Sequence, residues 1–318
     1  MTDEEILVGY DGSADAEVAL AWALAEATHS GRPVRLAYVF EWLTVAGWLG
    51  PGVAPGVWPD ETARREVEGL VRRAAGEAAA RHPGLTVHGE VFDGPPALLL
   101  QERSAEAGLL VLGSRGHGGF TGLLVGSTAV SVSAHAHCPV VVVRTAPDAA
   151  PAGADTGAGG AAPAGGGAEA GGAAAPAGVD AEAGPVVVGV DGSECALLAL
   201  GWAVERAAQR RVPLRVVRAW SPTQYRSQGF DPEEAAATER ASLDEDLAPW
   251  RETFPQVPVE VEVSTGSAGS LLLAAARGAQ LVVVGTRGRG GLRGMLLGSV
   301  SQQLIQHAPC PVAVVRER

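Results

Sequence analysis

The sequence predicts an α/β protein made of two tandem doubly wound domains, each a five-stranded parallel sheet of order 3-2-1-4-5 flanked by helices. Three observations predict it: the chain repeats itself, each repeat alternates short apolar runs with helix-period segments, and a glycine-rich loop follows the fourth apolar run in both copies. Shifted by 180 residues, ILVGYDGS falls on VVVGVDGS, Trp22 on Trp202, Pro33 on Pro213 and Arg35 on Arg215. Further along the shift becomes 172, pairing Gly94 with Gly266 and Cys138-Pro139 with Cys310-Pro311, so repeat one holds eight extra residues between Phe40 and Gly94.

In repeat one, residues 5–10 read as a strand, and Ser13 as the N-cap of an Ala-rich helix reaching His29. Residues 34–40 form the second strand, and an Arg- and Glu-rich helix covers 60–81 before Pro83 and Gly84 stop it. The third strand is 85–92. Pro95 and Pro96 open a helix to Ala107, since proline is tolerated in a first turn. Strand 109–112 leads into the glycine loop, a helix runs from Ser127 to His135, and Val140–Val143 close the sheet. Repeat two copies the order, with strands near 186–190, 214–219, 257–263, 281–284 and 312–315.

The expected division is a domain over 1–145, a linker over 146–184 and a second domain over 185–318. The linker is almost all Ala, Gly and Pro, which cannot bury enough apolar surface to order itself. As a coil it spans roughly 30 to 35 Å, ample for the domains to face each other. The last strands, expected at sheet edges, are long and apolar and seek pairing. The expected partners are the two last strands themselves, giving a pseudo-two-fold intramolecular dimer, with pairing of whole chains into a homodimer left open.

A net charge of −12 argues against nucleic acid or an anionic membrane as partner. The chain contains no lysine, so all 24 cationic side chains are arginines and amine nucleophiles are excluded. Three scattered cysteines suggest no disulfide framework, and the acidic start enters a strand directly, so the expected location is cytoplasmic. His135, His137 and Cys138 invite a metal reading. The helix-end and strand-entry positions of His135 and Cys138 favour a structural one, so no metal ligand is expected.

The loops read GSRGHGGFTGLLVGS, with Gly113, Arg115, Gly116, Gly126, Ser127 and Thr128 counted to the helix start, and GTRGRGGLRGMLLGS, with Gly285, Arg287, Gly288, Arg289, Gly298, Ser299 and Val300. A strand that passes through glycines into a helix capped by a hydroxyl residue turns several N–H groups toward one anion. In a 3-2-1-4-5 sheet the loop faces the end of strand one across the switch point, where Asp11 and Asp191 stand. An aspartate opposite a phosphate cradle suits hydrogen bonding to a ribose or a base.

Both repeats resemble ATP-binding universal stress protein domains, whose motif of Gly, two residues, Gly, nine residues, Gly and Ser or Thr is met twice. The resemblance covers 4–145 and 185–318. It implies that Asp11 and Asp191 contact the nucleoside, that Val39 and Ala219 lie against adenine, and that the loop glycines with Ser127 and Ser299 hold the phosphates. The implied ligand is ATP, with AMP or ADP as alternatives and Mg2+ as an optional companion.

Arg289 and Arg293 stand where repeat one has His117 and Thr121, so the second site is expected to hold triphosphate more tightly and with a steeper salt dependence. Trp42, Trp48 and Trp58 lie in a Gly/Pro-rich stretch that reads as a lid, a partner surface or a loop packed on its own domain. No GxxxxGK[ST] loop exists and no catalytic residue is assigned. The sequence therefore reads as an ATP-binding stress-response module. A slow ATPase, or a nucleotide-free interaction scaffold, remains as an alternative.

Overall fold

The computed structural model describes residues 5–41, 61–116, 124–145, 184–222, 231–289 and 297–317. The Trp42–Trp58 stretch, residues 146–183 of the expected linker, and the loop residues His117, Thr121 and Arg293 lie outside these. In chain order the first repeat comprises β1 (Ile6–Gly9), α1 (Ala14–Ser30), β2 (Val34–Phe40), α2 (Glu61–Arg81), β3 (Val87–Asp93), α3 (Pro96–Arg103), β4 (Leu109–Gly113), α4 (Ser127–His135) and β5 (Val140–Val143). The second comprises β6 (Val186–Gly189), α5 (Glu194–Arg210), β7 (Leu214–Trp220), α6 (Pro232–Thr253), β8 (Val259–Thr265), α7 (Ala268–Ala275), β9 (Leu281–Gly285), α8 (Ser299–His307) and β10 (Val312–Val315).

Each repeat forms a parallel sheet of order 3-2-1-4-5, and antiparallel pairing of β5 with β10 joins the two into one ten-stranded sheet. The registers Val142 with Val312 and Val140 with Val314 leave neither apolar last strand as an edge. Alternate strand residues serve opposite faces. Ile6 and Val8 enter one core, beneath α1, α2, α5 and α6, while Leu7 enters the other, beneath α3, α4, α7 and α8. Both cores contain residues of both repeats, so burial is shared across the join.

Local chemistry sets the helix ends. Ser13 accepts from Ala16 N at 3.2 Å and Ser193 from Ala196 N at 3.4 Å, each satisfying an N–H that the first turn leaves unpaired. The helix expected to reach Ala107 stops at Arg103. There the Ser104 hydroxyl donates back to Gln101 O at 2.5 Å and accepts from His137 N at 2.7 Å, a local alternative to continuing the helix.

Side chains also tie the repeats together. Arg144 donates to Ile305 O at 2.7 Å, near the end of α8. Arg316, its counterpart by the 172-residue shift, donates to Ala134 O at 2.9 Å and Ala136 O at 2.7 Å, at the end of α4. Between α1 and α5 the buried Glu26 meets Arg206 and Arg210, each at 2.7 Å.

Candidate functional site at the carboxyl ends of the strands

Strands β1 and β4 run side by side, Gly9 in register with Leu112, so both release the chain on the same edge of the sheet. At β1 the Asp-Gly-Ser turn follows, and at β4 the glycine loop. In repeat one, Asp11 Oδ1 accepts from Ser13 N at 3.0 Å, and Ser13 Oγ donates to Arg115 O at 3.3 Å. In repeat two the same bonds are 2.9 and 3.5 Å, between Asp191 and Ser193 and between Ser193 and Arg287 O. Aspartate turn and glycine loop are thus one hydrogen-bonded unit.

Two glycines of each loop are required by close approach. A Cβ on Gly113 would lie 2.7 Å from the Asp15 carbonyl carbon, and one on Gly285 would lie 2.8 Å from that of Cys195. A Cβ on Gly116 would lie 2.5 Å from Asp11 Oδ2, and one on Gly288 would overlap Asp191 Oδ2. The third glycine has another task. Gly126 N–H donates to Ser114 O and Gly298 N–H to Thr286 O, both at 2.7 Å, closing the loop on itself. The first-turn N–H groups at Ser127 and Thr128 and at Ser299 and Val300 have no carbonyl partner within their own helix.

In repeat two these parts enclose a cleft of about 460 Å3. Asp191, Ala219, Gly285, Arg287, Gly288, Gly298, Ser299 and Val300 all line it. Val190, Val217, Ala268 and Leu272 supply an apolar portion of the wall, and the loop and helix start supply a polar one. Arg289 contributes from outside the lining: its N–H donates to Asp191 Oδ2 at 2.8 Å, and its guanidinium packs over Gly192. Burial alone would raise the Asp191 carboxyl. Hydrogen bonds from Ser193 and Arg289, with the Arg289 charge, outweigh it and hold the group below the usual carboxylate range. In repeat one, Val39 of β2 packs partly buried against the core beneath α3 and α4.

A description of the universal stress protein family matches residues 4–144 and 183–316, nearly everything outside the Ala/Gly/Pro stretch. The chain belongs to the universal stress protein family. A universal stress protein of Mycolicibacterium smegmatis is 35% identical over 100% of this chain and 98% of its own length. Universal stress protein Rv2623 of Mycobacterium tuberculosis is 33% identical over 98% of this chain and 96% of its own. The crystal structure of a universal stress protein from Archaeoglobus fulgidus covers 100% of both chains with a TM-score of 0.66 at 18% identity, a likeness of fold.

Two groups beside the sites of this universal stress protein escape a motif search. Asp15, on the first turn of α1, is 4% exposed and accepts from Ser114 Oγ at 2.7 Å, Arg115 N at 3.0 Å and Thr145 Oγ1 at 2.6 Å. Burial alone would raise its carboxyl, but the hydrogen bonds from Thr145 and Ser114 and the Arg115 charge outweigh it and hold it low. Arg218, beside Ala219 on β7, is 1% exposed and pairs with Glu239 at 2.7 Å and Asp246 at 3.3 Å. A Cβ on Gly192 would come within 3.4 Å of Arg218 Nη2, which puts this cation under the aspartate turn.

His135 Nδ1 lies 2.8 Å from Ser131 O at the end of α4, and burial pushes the Cys310 thiol up to about 12. Among the described residues no group of three or more His, Cys, Asp or Glu could hold a metal ion. Among the same residues no helix is long and apolar enough to cross a membrane.

Proposed function

We propose that this universal stress protein binds adenine nucleotide, ATP foremost, at the carboxyl ends of its strands, and that nucleotide occupancy regulates its conformation or its choice of partner during stress. The observation that carries the reading is the second-repeat cleft. Its volume of about 460 Å3 lies within the range of small-molecule sites, and its wall is apolar beside Val217 and Leu272 and rich in N–H groups at the loop and helix start. The residues fit the group: Asp191 would accept from the nucleoside, Ala219 would border the base, and Gly285 to Gly288 with Ser299 and Val300 would receive the phosphates at a helix N-terminus. Mg2+ accompanying ATP would be held chiefly by the phosphates themselves.

The same reading extends to repeat one through Asp11, Val39, Gly113, Arg115, Gly116, Gly126, Ser127 and Thr128. Each domain, 1–145 and 185–318, would then carry one site, with the Ala/Gly/Pro stretch as linker. Equilibrium dialysis of the full chain against ATP, with mass spectrometry of the nucleotide retained on purification, tests the reading. Retained or titratable adenine nucleotide that is lost in the Gly116→Val, Gly288→Val double variant supports it. No adenine nucleotide bound by the unaltered chain overturns it.

A further inference from the structure

The two glycine loops rest on different residues. The close approaches at Gly113 and Gly285 place Asp15 and Cys195 at the same point, against the start of the loop. Beneath loop one, Ser114 Oγ donates to Asp15 Oδ2 at 2.7 Å; beneath loop two, Thr286 Oγ1 lies 3.7 Å from Cys195 Sγ. One loop therefore sits on a buried carboxylate and the other on a thiol, which is a weak acceptor.

The surrounding arginines follow suit. Arg115 Nε lies 3.5 Å from Asp15 Oδ2, and Arg115 N donates to the same oxygen at 3.0 Å. That carboxylate thus engages both the guanidinium and a main-chain donor of loop one. Arg144 is also within electrostatic reach of Asp15 and Arg115. In repeat two Arg287 lines the cleft, and Arg316 feels its charge directly. Glu317, at the place of Thr145, is exposed. Glu194, beside Cys195 where repeat one has Ala14, is exposed as well, so the buried part of the fixed charge is more positive under site two than under site one.

Resting on the nucleotide reading above, the geometry points to Asp15 and Cys195 as the residues that set how much ligand charge each site accepts. Site two takes the nucleoside triphosphate, and site one takes an adenine ligand with fewer phosphates, down to the nucleoside. A buried carboxylate within several ångströms of a phosphate, only partly screened, disfavours it on the order of tenfold per unit of ligand charge. It does so without touching the base, so adenosine binding is indifferent to the exchange. Asp15 is on this account a specificity-determining residue that acts through Arg115 and the loop.

Titration of the full-length chain with adenosine, AMP and ATP by calorimetry tests this, comparing the unaltered protein with Asp15→Cys, Asp15→Asn and Cys195→Asp. The unaltered chain is expected to bind one ATP tightly and a second at least about tenfold more weakly, with adenosine affinities closer together. Asp15→Cys or Asp15→Asn is expected to strengthen the weak ATP site about tenfold at unchanged adenosine affinity, and Cys195→Asp to weaken the tight one. The asparagine variant keeps the size of the side chain, should the cysteine variant fail to fold. Two equal ATP sites in the unaltered chain, or an ATP-to-adenosine ratio unmoved by both Asp15 variants, overturn the inference and leave nucleotide binding standing. No heat from any of the three ligands overturns the nucleotide reading and this inference with it.

Discussion

Glu26 and Arg206 occupy equivalent positions in the two repeats, 180 residues apart, and form an ion pair with each other at 2.7 Å. Glu26 is 1% exposed and Arg206 3% exposed. Glu26 Oε1 and Arg206 Nε lack hydrogen-bond alignment, so the contact is one of charge, supplemented by Arg210 on Oε2. The pseudo-two-fold thus puts an acid against a base. A repeat paired with its own copy would put Glu26 against Glu26 or Arg206 against Arg206. The charge pattern selects the other repeat over a second copy of the same one, at the desolvation cost of burying two ions.

Glu26→Met should therefore destabilise the chain strongly, by about 3 to 5 kcal/mol, because it strands Arg206 in the interior. The double variant Glu26→Met, Arg206→Met removes this pair and leaves Arg210 on Gln280 Oε1 at 2.8 Å, so it is expected to recover part, not all, of the single-variant loss. Urea unfolding of the four proteins of the cycle measures the coupling. A loss in the double variant equal to the sum of the two single-variant losses would show that the pair carries no coupling.

The reciprocal arginines invite a parallel test. Arg316 donates to two carbonyls at the end of α4, Ala134 O at 2.9 Å and Ala136 O at 2.7 Å, while Arg144 makes one short bond to α8, Ile305 O at 2.7 Å, and a long one to Leu124 O at 3.4 Å. Charge-assisted bonds contribute about 1.5 to 3 kcal/mol each when the acceptor would otherwise go unpaired. Arg316→Ala is expected to cost more than Arg144→Ala, and amide hydrogen exchange should quicken at the end of α4 in the first case and of α8 in the second.

Asp15 and Asp191 make stability fall in acid. Both carboxyls lie below their ordinary value in the folded chain. As pH drops past the unfolded value near ~3.9, the unfolded chain takes up protons that the folded chain does not, and the balance shifts toward unfolding. Their contribution is complete above that pH and is lost as pH falls through the folded values. Asp15→Asn should flatten the dependence of the urea midpoint on pH below about 4, and leave its slope near neutrality unchanged.

The sequence made the scaffold legible because its signals are local. Ser13 and Ser193 announce helix starts, and the doubled strand–loop–helix pattern announces the switch point. Long-range complementarity is less visible. Arg218 sits in a strand where an arginine ordinarily marks an exposed face, and it is buried because Glu239 and Asp246 arrive from α6 to neutralise it. Asp15 reads as an ordinary first-turn acid favoured by the helix dipole. Its role under the loop comes from Ser114 and Thr145, about 100 and 130 residues away, and its one sequence trace is that the other repeat has Cys195 there. Helix α3 ended early for a similar reason, since Ser104 is recruited by His137 N from beyond β4.

The two essential glycines of loop two should fail in different ways when replaced. A Cβ on Gly285 would press on the main chain of Cys195 at 2.8 Å, and helix α5 cannot yield there without moving its first turn. Gly285→Ala is therefore a folding defect, costing about 1 to 3 kcal/mol from overpacking. A Cβ on Gly288 overlaps only the tip of Asp191, whose oxygen is held by Arg289 N at 2.8 Å. That carboxylate can swing aside at little cost to the fold, but in doing so it leaves the place from which it would meet a nucleoside. Gly288→Ala should keep its urea midpoint near that of the unaltered chain and lose at least about tenfold in ATP affinity, the scale of one charge-assisted bond. Gly285→Ala should show the midpoint loss. A Gly288→Ala protein that binds ATP normally would remove Asp191 from the nucleotide site, and a Gly285→Ala protein of full stability would show that loop and helix have room between them.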